Sequence, residues 1–342
     1  MQAQQIEVVL YTSFEARGFE WKGDLPENVE VIQIEFPTAG KKWKWLKTFF
    51  KLQKSIKKNH FDVVHAHFTL GILMLLFLKT SAKKWGTFHG VYHLAESGFI
   101  SKMVGELEKK AFKSFDRSFV LNQRDFKDLK HHAKVKLMPN PGVGVNLDNY
   151  RYQEVNQSKK AELKKTFGYD ADVKLLLFVG RYTLFKGVED AIAAATILHK
   201  KGCNVRLLLC GKLDMQHPID GLKPLSFVDD LGWRQDLPQL MKMADILVFP
   251  SVREGYPVSL LEAVASGLPY VGYKVRGVED INEIYEKGIL VAPNEVNKLA
   301  EAVENICYKN YPITPLSKEE YYSLGRQRFV DYQMAEYARL LD

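Results

Sequence analysis

Two stretches of this 342-residue chain carry residue types at spacings that suit chemistry on an anion. The first is Phe178-Val179-Gly180-Arg181-Tyr182-Thr183-Leu184-Phe185-Lys186-Gly187, in which a fixed Arg and a mobile Lys follow an apolar run with strand character. Open α/β sheets hold ligands at the carboxyl ends of their strands. Two cations there would stabilise the oxygens of a departing diphosphate as charge builds on them. Neither is diagnostic alone, because each could be a solvated surface residue. The second stretch, Glu254-Gly255-Tyr256-Pro257-Val258-Ser259-Leu260-Leu261-Glu262, follows the apolar run Ile246 to Phe249. Pro257 suits the first turn of a helix, where its missing N–H costs nothing. The free N–H groups of Val258, Ser259 and Leu260 would then face an anion together with the positive end of the helix dipole. Glu254 just before the helix and Glu262 about one turn inside it bracket that site, and they would suit the hydroxyls of two sugars. On spacing alone they could as well be a solvated loop carboxylate and a surface helical one.

The elements that must position these residues alternate in type. Short β-rich runs separated by longer helical patterns occur in both halves, which is the pattern of parallel sheets wound with helices on both faces. Strands are expected at Ile6 to Tyr11, Val29 to Phe36, Val63 to Ala66, Lys84 to Phe88, Ser118 to Leu121 and Val135 to Met138. The second half repeats the rhythm at Lys174 to Val179, Asn204 to Cys210, Ser226 to Leu231, Ile246 to Phe249, Tyr270 to Gly272 and Gly288 to Val291. The turn-rich Pro139 to Gly144 and the polar segment that follows to about Asp172 read as the hinge. This divides the chain into 1–150, 151–320 and a closing helical segment, 321–342, with aromatics at helical spacing.

Composition sets the class. With 46% hydrophobic and 26% charged residues the chain reads as a soluble globular protein. Its three cysteines form no C-x-x-C pair, which points to a reducing compartment and away from structural zinc. No export signal opens the sequence, so a cytoplasmic location is expected. The apolar run Leu70 to Leu78 is too short to span a bilayer and reads as a buried helix. Residues 1–150 hold 23 Lys and Arg against 15 Asp and Glu, so the excess positive charge lies wholly in the first half. A polyanion or an anionic membrane would be its partner. Nucleic acid is disfavoured, because the basic half has no Cys/His finger, no RNP-like aromatic motif and no Arg-rich helix. His65, His67, His89 and His93 could in principle assemble a zinc site, but no Cys or carboxylate spacing supports it, and packed, hydrogen-bonded histidines are the expectation.

Taken together these segments resemble glycosyltransferase family 4, the retaining GT-B enzymes, over about Phe61 to Val291. Phe61-Asp62-Val63-Val64-His65-Ala66-His67 is similar to the D-V-V-H-x-H strand end of that family, and Thr87-Phe88-His89-Gly90 to its T-x-H-G turn. Leu137-Met138-Pro139-Asn140-Pro141-Gly142-Val143 resembles the I-P-N-G-V hinge strand, and Glu254 to Glu262 the E-x7-E motif. The resemblance implies an α/β GT-B fold: two Rossmann-like, doubly wound domains facing a central cleft, with a C-terminal helix closing the molecule. It implies that Arg181 and Lys186 hold the donor diphosphate, that Glu254 faces the donor sugar, that Glu262 binds the ribose and that His89 sits beside the reacting centre. Gly180, Pro257, Val258 and Ser259 complete the implied donor site. The reaction implied is retaining, metal-independent transfer of a hexose-type sugar from a nucleotide sugar, UDP being the commonest, to a glycan or lipid-linked acceptor in capsule, exopolysaccharide or O-antigen assembly. No cofactor is implied. The chain departs from the family at its start, where the usual first strand and Gly-rich loop have no counterpart. That departure keeps a non-catalytic GT-B partner subunit open as an alternative, beside a sugar-nucleotide epimerase.

Lys41 to Lys58 contains eight lysines and no acid. Its spacing predicts a basic amphipathic helix, with Phe49, Leu52 and Ile56 covering a sheet and Trp43, Lys44, Trp45, Lys47, Lys51 and Lys54 forming a face for an anionic membrane. A peripheral position on the inner face of the cell membrane follows from that expectation.

Overall fold

A computed structural model describes residues 7–12, 29–34, 42–91, 99–132, 134–139, 143–150, 157–213, 225–309, 311–312 and 314–339. Among the described residues the strands form three parallel sheets. The N-terminal half holds a small pair, β1 (Val8–Thr12) and β2 (Val29–Gln33), and a four-stranded sheet in the order β3 (Val63–His67), β4 (Lys83–Phe88), β5 (Arg117–Val120), β6 (Val135–Leu137). The C-terminal half holds one six-stranded sheet. Its strands are β7 (Lys174–Val179), β8 (Val205–Cys210), β9 (Val228–Gly232), β10 (Ile246–Phe249), β11 (Tyr270–Tyr273) and β12 (Gly288–Val291), in the order β12-β11-β10-β7-β8-β9. Every one of these strands was expected from the apolar runs, to within a few residues at each end.

The runs that read continuously apolar are the ones covered on both faces, as burial between two helical layers requires. Leu175, Leu176, Leu177, Leu207, Leu208, Ile246 and Leu247 are all fully buried. Helix α1 (Lys42–Asn59) matches the expected basic helix, and it buries Leu52 and Ile56 against a core shared with Ile34, Ile72 and Phe112. The expected buried helix is α2 (Phe68–Phe77), and it is only partly so. Ile72, Met74 and Leu75 are buried, but Phe68, Leu70 and Phe77 are exposed, because the sequence is apolar all round and only one side meets the core.

The segment between the two halves also differs from expectation. Residues 157–166 form a helix, α5 (Gln157–Thr166), rather than an irregular linker. Its few apolar residues hide the reason, which is ionic. Lys160 and Lys164 reach Asp245 at 3.0 and 2.7 Å, and Asp245 also accepts from the Leu175 amide at 2.8 Å. Lys164 is buried and donates a second bond to the Val173 carbonyl, so its charge is paired rather than stranded.

The chain then crosses back. Helix α11 (Lys318–Ser323) begins with a capping box between Ser317 and Glu320. Helix α12 (Arg326–Ala338) packs on the N-terminal four-stranded sheet, where the Tyr337 ring stacks on Trp85 at 4.9 Å and 7°. Glu336, 1% exposed, is held there by Arg117, Lys136 and Arg339.

Candidate active site

The residues expected to hold the donor sit on turns at the carboxyl ends of the adjacent strands β7 and β10. Gly180 and Arg181 leave β7, Arg181 on an exposed turn, and a short 3-10 turn, Leu184–Lys186, follows, with Thr183 capping it through the Lys186 amide. Gly187 closes that turn with φ of +69°, and a Cβ there would lie 2.1 Å from the Pro250 carbonyl oxygen at the end of β10. Only glycine permits this approach. It brings Lys186 over the loop after β10, where its Nζ donates to Glu254 Oε1 at 2.6 Å. Helix α8 (Val258–Ala265) starts one residue later than expected. Pro257 is its N-cap, extended at φ −75° and ψ 117°, rather than part of the first turn. Val258, Ser259 and Leu260 therefore occupy the first three helical positions, whose N–H groups have no partner within the helix.

Glu262 is turned toward Tyr150 and the start of α12. It is hydrogen bonded to Tyr150, and Arg326 lies near. Burial raises its carboxyl above the ordinary value, while Tyr150 and Arg326 oppose that shift.

His65 and His67 lie on β3, and His89 follows directly after β4. His65 and His67 share one face of β3, as residues two apart on a strand must, and their rings stack at 4.5 Å. His67 Nδ1 lies 3.3 Å from His89 Nε2, and the exposed Phe68 ring stacks on His89 at 4.0 Å. Burial pushes the His89 ring down to about 3, with His67 adding to the effect. Burial also pushes His67, whose edge is open to solvent, down to about 4. His65 is packed and hydrogen bonded, as expected, whereas His67 is hydrogen bonded but exposed. Among the described residues no group of three or more His, Cys, Asp or Glu is placed to hold a metal ion. His93 lies outside the described residues.

The two sides meet through backbone. A Cβ on Gly255 would lie 1.6 Å from the His89 carbonyl oxygen and one on Gly277 would lie 2.0 Å from the Gly255 oxygen. The Glu254-Gly255 loop is thus wedged between the His89-Gly90 turn and the loop after β11. Asn122 Nδ2 donates to the same Gly255 oxygen at 3.0 Å. Around this contact Arg276 meets the buried Asp125 at 2.5 Å, Arg124 meets Glu279 at 2.8 Å, and Asp280 accepts from the Gln123 amide. Sequence reading missed Asn122, Asp125, Arg276 and Asp280. The available signals were local ones: Asn122 with Asp125 three residues on as a helix start, and Gly277 on another strand-to-helix turn at the same sheet edge.

The membrane-face residues divide. On α1 Lys47, Lys51 and Lys54 are exposed, as are Leu46 at 51% and Phe50 at 64%, whereas Trp45 is half-buried against the core. The side chains of Trp43 and Lys44 lie outside the described residues. Among the described residues no helix is long and apolar enough to cross a membrane.

Comparison with known proteins agrees with this fold. The model of Glycosyltransferase Family 4 matches residues 1–141, and that of Glycosyl transferases group 1 matches residues 159–317. The chain is 29% identical over 297 residues to the N,N'-diacetylbacillosaminyl-diphospho-undecaprenol alpha-1,3-N-acetylgalactosaminyltransferase of Campylobacter jejuni, covering 80% of this chain and 76% of that one. Sucrose-phosphate synthase from Thermosynechococcus elongatus superimposes with a TM-score of 0.78 at 19% identity, covering 98% of this chain and 89% of that one. HepE of Anabaena in complex with UDP and glucose superimposes with a TM-score of 0.69 at 17% identity, over 91% of this chain and 86% of that one.

Proposed function

From a chain that is a glycosyltransferase family 4-like protein of GT-B fold, we propose an enzyme that moves a hexose-type sugar from a nucleotide sugar to a glycan or lipid-linked acceptor with retention of configuration. One observation carries the reading. The His89-Gly90 turn after β4 abuts the Glu254-Gly255 loop after β10, which supports a shared site for His89 and the Lys186–Glu254 pair. When the sugar–oxygen bond breaks, the electron pair passes to the diphosphate, and Lys186, Arg181 and the N-terminus of α8 would stabilise that charge. UDP is the favoured nucleotide, supported by the UDP complex of the Anabaena neighbour. A lipid-linked diphosphate acceptor is supported by the name of the Campylobacter relative. A thermal-shift comparison of UDP-, GDP- and ADP-sugars tests the donor, because a ligand at 100 times its dissociation constant adds about 2.7 kcal/mol to stability. No shift with any of them, and no transfer from any, would favour a non-catalytic subunit.

Because side chains and a helix end supply the positive charge, EDTA is expected to leave transfer unchanged. Loss of transfer in EDTA with recovery on adding manganese would contradict this.

The enzyme is further proposed to sit on an anionic membrane through α1. Three exposed lysines beside Leu46 and Phe50 combine charge with apolar side chains able to enter the headgroup layer. Each lysine near an anionic leaflet adds about 1 kcal/mol, so changing Lys47, Lys51 and Lys54 together to Gln is expected to weaken binding to phosphatidylserine-containing vesicles roughly a hundredfold. Binding should also fall as salt is raised. Sedimentation of the triple variant equal to that of wild type would make α1 a solvated face.

A further inference from the structure

We infer that Tyr337, on the C-terminal helix, is a positioning residue for His89, acting through His65 and His67. The inference rests on the reading of His89 as a group beside the reacting centre. Its physical basis is a string of contacts from α12 to the cleft. The Tyr337 hydroxyl lies 2.5 Å from His65 Nδ1, and Thr87 Oγ1 lies 2.8 Å from His65 Nε2. Both ring nitrogens of His65 are therefore occupied, one by a helix that returns from the other half of the chain and one by the strand that ends just before His89. A neutral imidazole offers one donor and one acceptor, so the partner at Nδ1 fixes what Nε2 can do. His65 is held well below its ordinary value by burial, with His67 and His89 adding to the effect, so it stays neutral near pH 7.

The remaining links are short. The His65 ring stacks on His67, and His67 Nδ1 is 3.3 Å from His89 Nε2. Trp85 and Phe119 also pack on His65, at 5.9 and 5.7 Å between ring centres. The ring cannot turn to another partner without disturbing that packing. Tyr337 is itself fixed, by its stacking on Trp85 and by the neighbouring Glu336 with Arg117, Lys136 and Arg339. The string thus has a rigid anchor at one end and a reactive-site ring at the other. A helix that otherwise only closes the molecule acquires a part in setting the acceptor side of the centre.

Tyr337→Phe tests this cleanly, because it removes one hydroxyl and keeps the ring that packs on Trp85. Two readouts are needed, one of them independent of turnover. In 15N-labelled protein the ring signals of His65, His67 and His89 are expected to move in the variant, while the melting temperature changes little. With a donor that the wild type turns over, kcat is expected to fall about tenfold with the donor KM unchanged. His65→Gln should give a similar fall, and the double variant little more, since both cut one string. An unmoved His89 signal would overturn the inference. So would a Tyr337→Phe enzyme with wild-type kcat. A wild type that turns over no nucleotide sugar, with His89 signals that still move in the variant, would instead count against the transferase reading.

Discussion

Lys186→Ala is expected to lower kcat/KM by at least about a hundredfold, a loss of roughly 3 kcal/mol of transition-state stabilisation. The side chain does two things at once. It offers a cation where the diphosphate would leave, and it neutralises Glu254, whose carboxylate lies 2.6 Å away with a side chain only 9% exposed. Alanine removes the first and exposes the second, so an arriving diphosphate meets an unpaired carboxylate instead of an ammonium. Arg181→Ala should cost a similar amount, because Arg181 leaves the same strand, β7, five residues before Lys186. The two losses are expected to fall short of additive, since both cations serve one leaving group. The fold should survive either change, because Lys186 is half-buried at the end of a 3-10 turn whose cap is Thr183. Steady-state kinetics beside a melting curve separate the two effects. Wild-type kcat/KM in both variants would remove the donor site from this edge.

That edge was legible before any coordinates, and the reason is physical. Strands buried on both faces must be written as unbroken apolar runs, so Lys174-Leu175-Leu176-Leu177-Phe178-Val179 announces β7 and locates the turn that carries Arg181 and Lys186. The E-x7-E spacing similarly locates α8, with an error of one residue at Pro257. What could not be read are the bonds that join distant segments. Asp245 with Lys160 and Lys164, Asp125 with Arg276, and Tyr337 with His65 link residues about 80 to 270 positions apart. No periodicity encodes such pairs, because each is set by where two elements happen to face. The same reason explains the polar segment before Asp172. Its lysines look like linker composition until Asp245 is placed opposite them. Glu262 shows the converse. The sequence puts it about one turn into α8, where it lies, and its hydrogen bond to Tyr150 came only with the fold.

Gly255→Ala is expected to reduce turnover about a hundredfold or more, although it adds a single methyl group. In alanine that Cβ would stand 1.6 Å from the His89 oxygen and 2.5 Å from its carbonyl carbon. Both atoms are backbone, so no side chain can swing aside. The two loops must part by roughly 2 Å to regain ordinary contact distances of about 3.5 Å. That movement would draw His89 away from Glu254 and stretch the Asn122 bond to the Gly255 oxygen, now 3.0 Å. A displacement of about 1 Å between reacting groups is enough for a hundredfold loss, so the effect on rate should exceed the effect on stability. Overpacking of this kind costs about 1–3 kcal/mol, which lowers the melting temperature without unfolding the chain. Gly71→Ala is the matched control. Its Cβ would meet nothing closer than Ala66 at 3.7 Å, an ordinary contact, and it lies inside a helix that alanine favours. Activity is therefore expected to be kept in Gly71→Ala and lost in Gly255→Ala. Full turnover in Gly255→Ala would mean that the His89 turn and the Glu254 loop stand apart in the working enzyme, and that the cleft closes through other contacts.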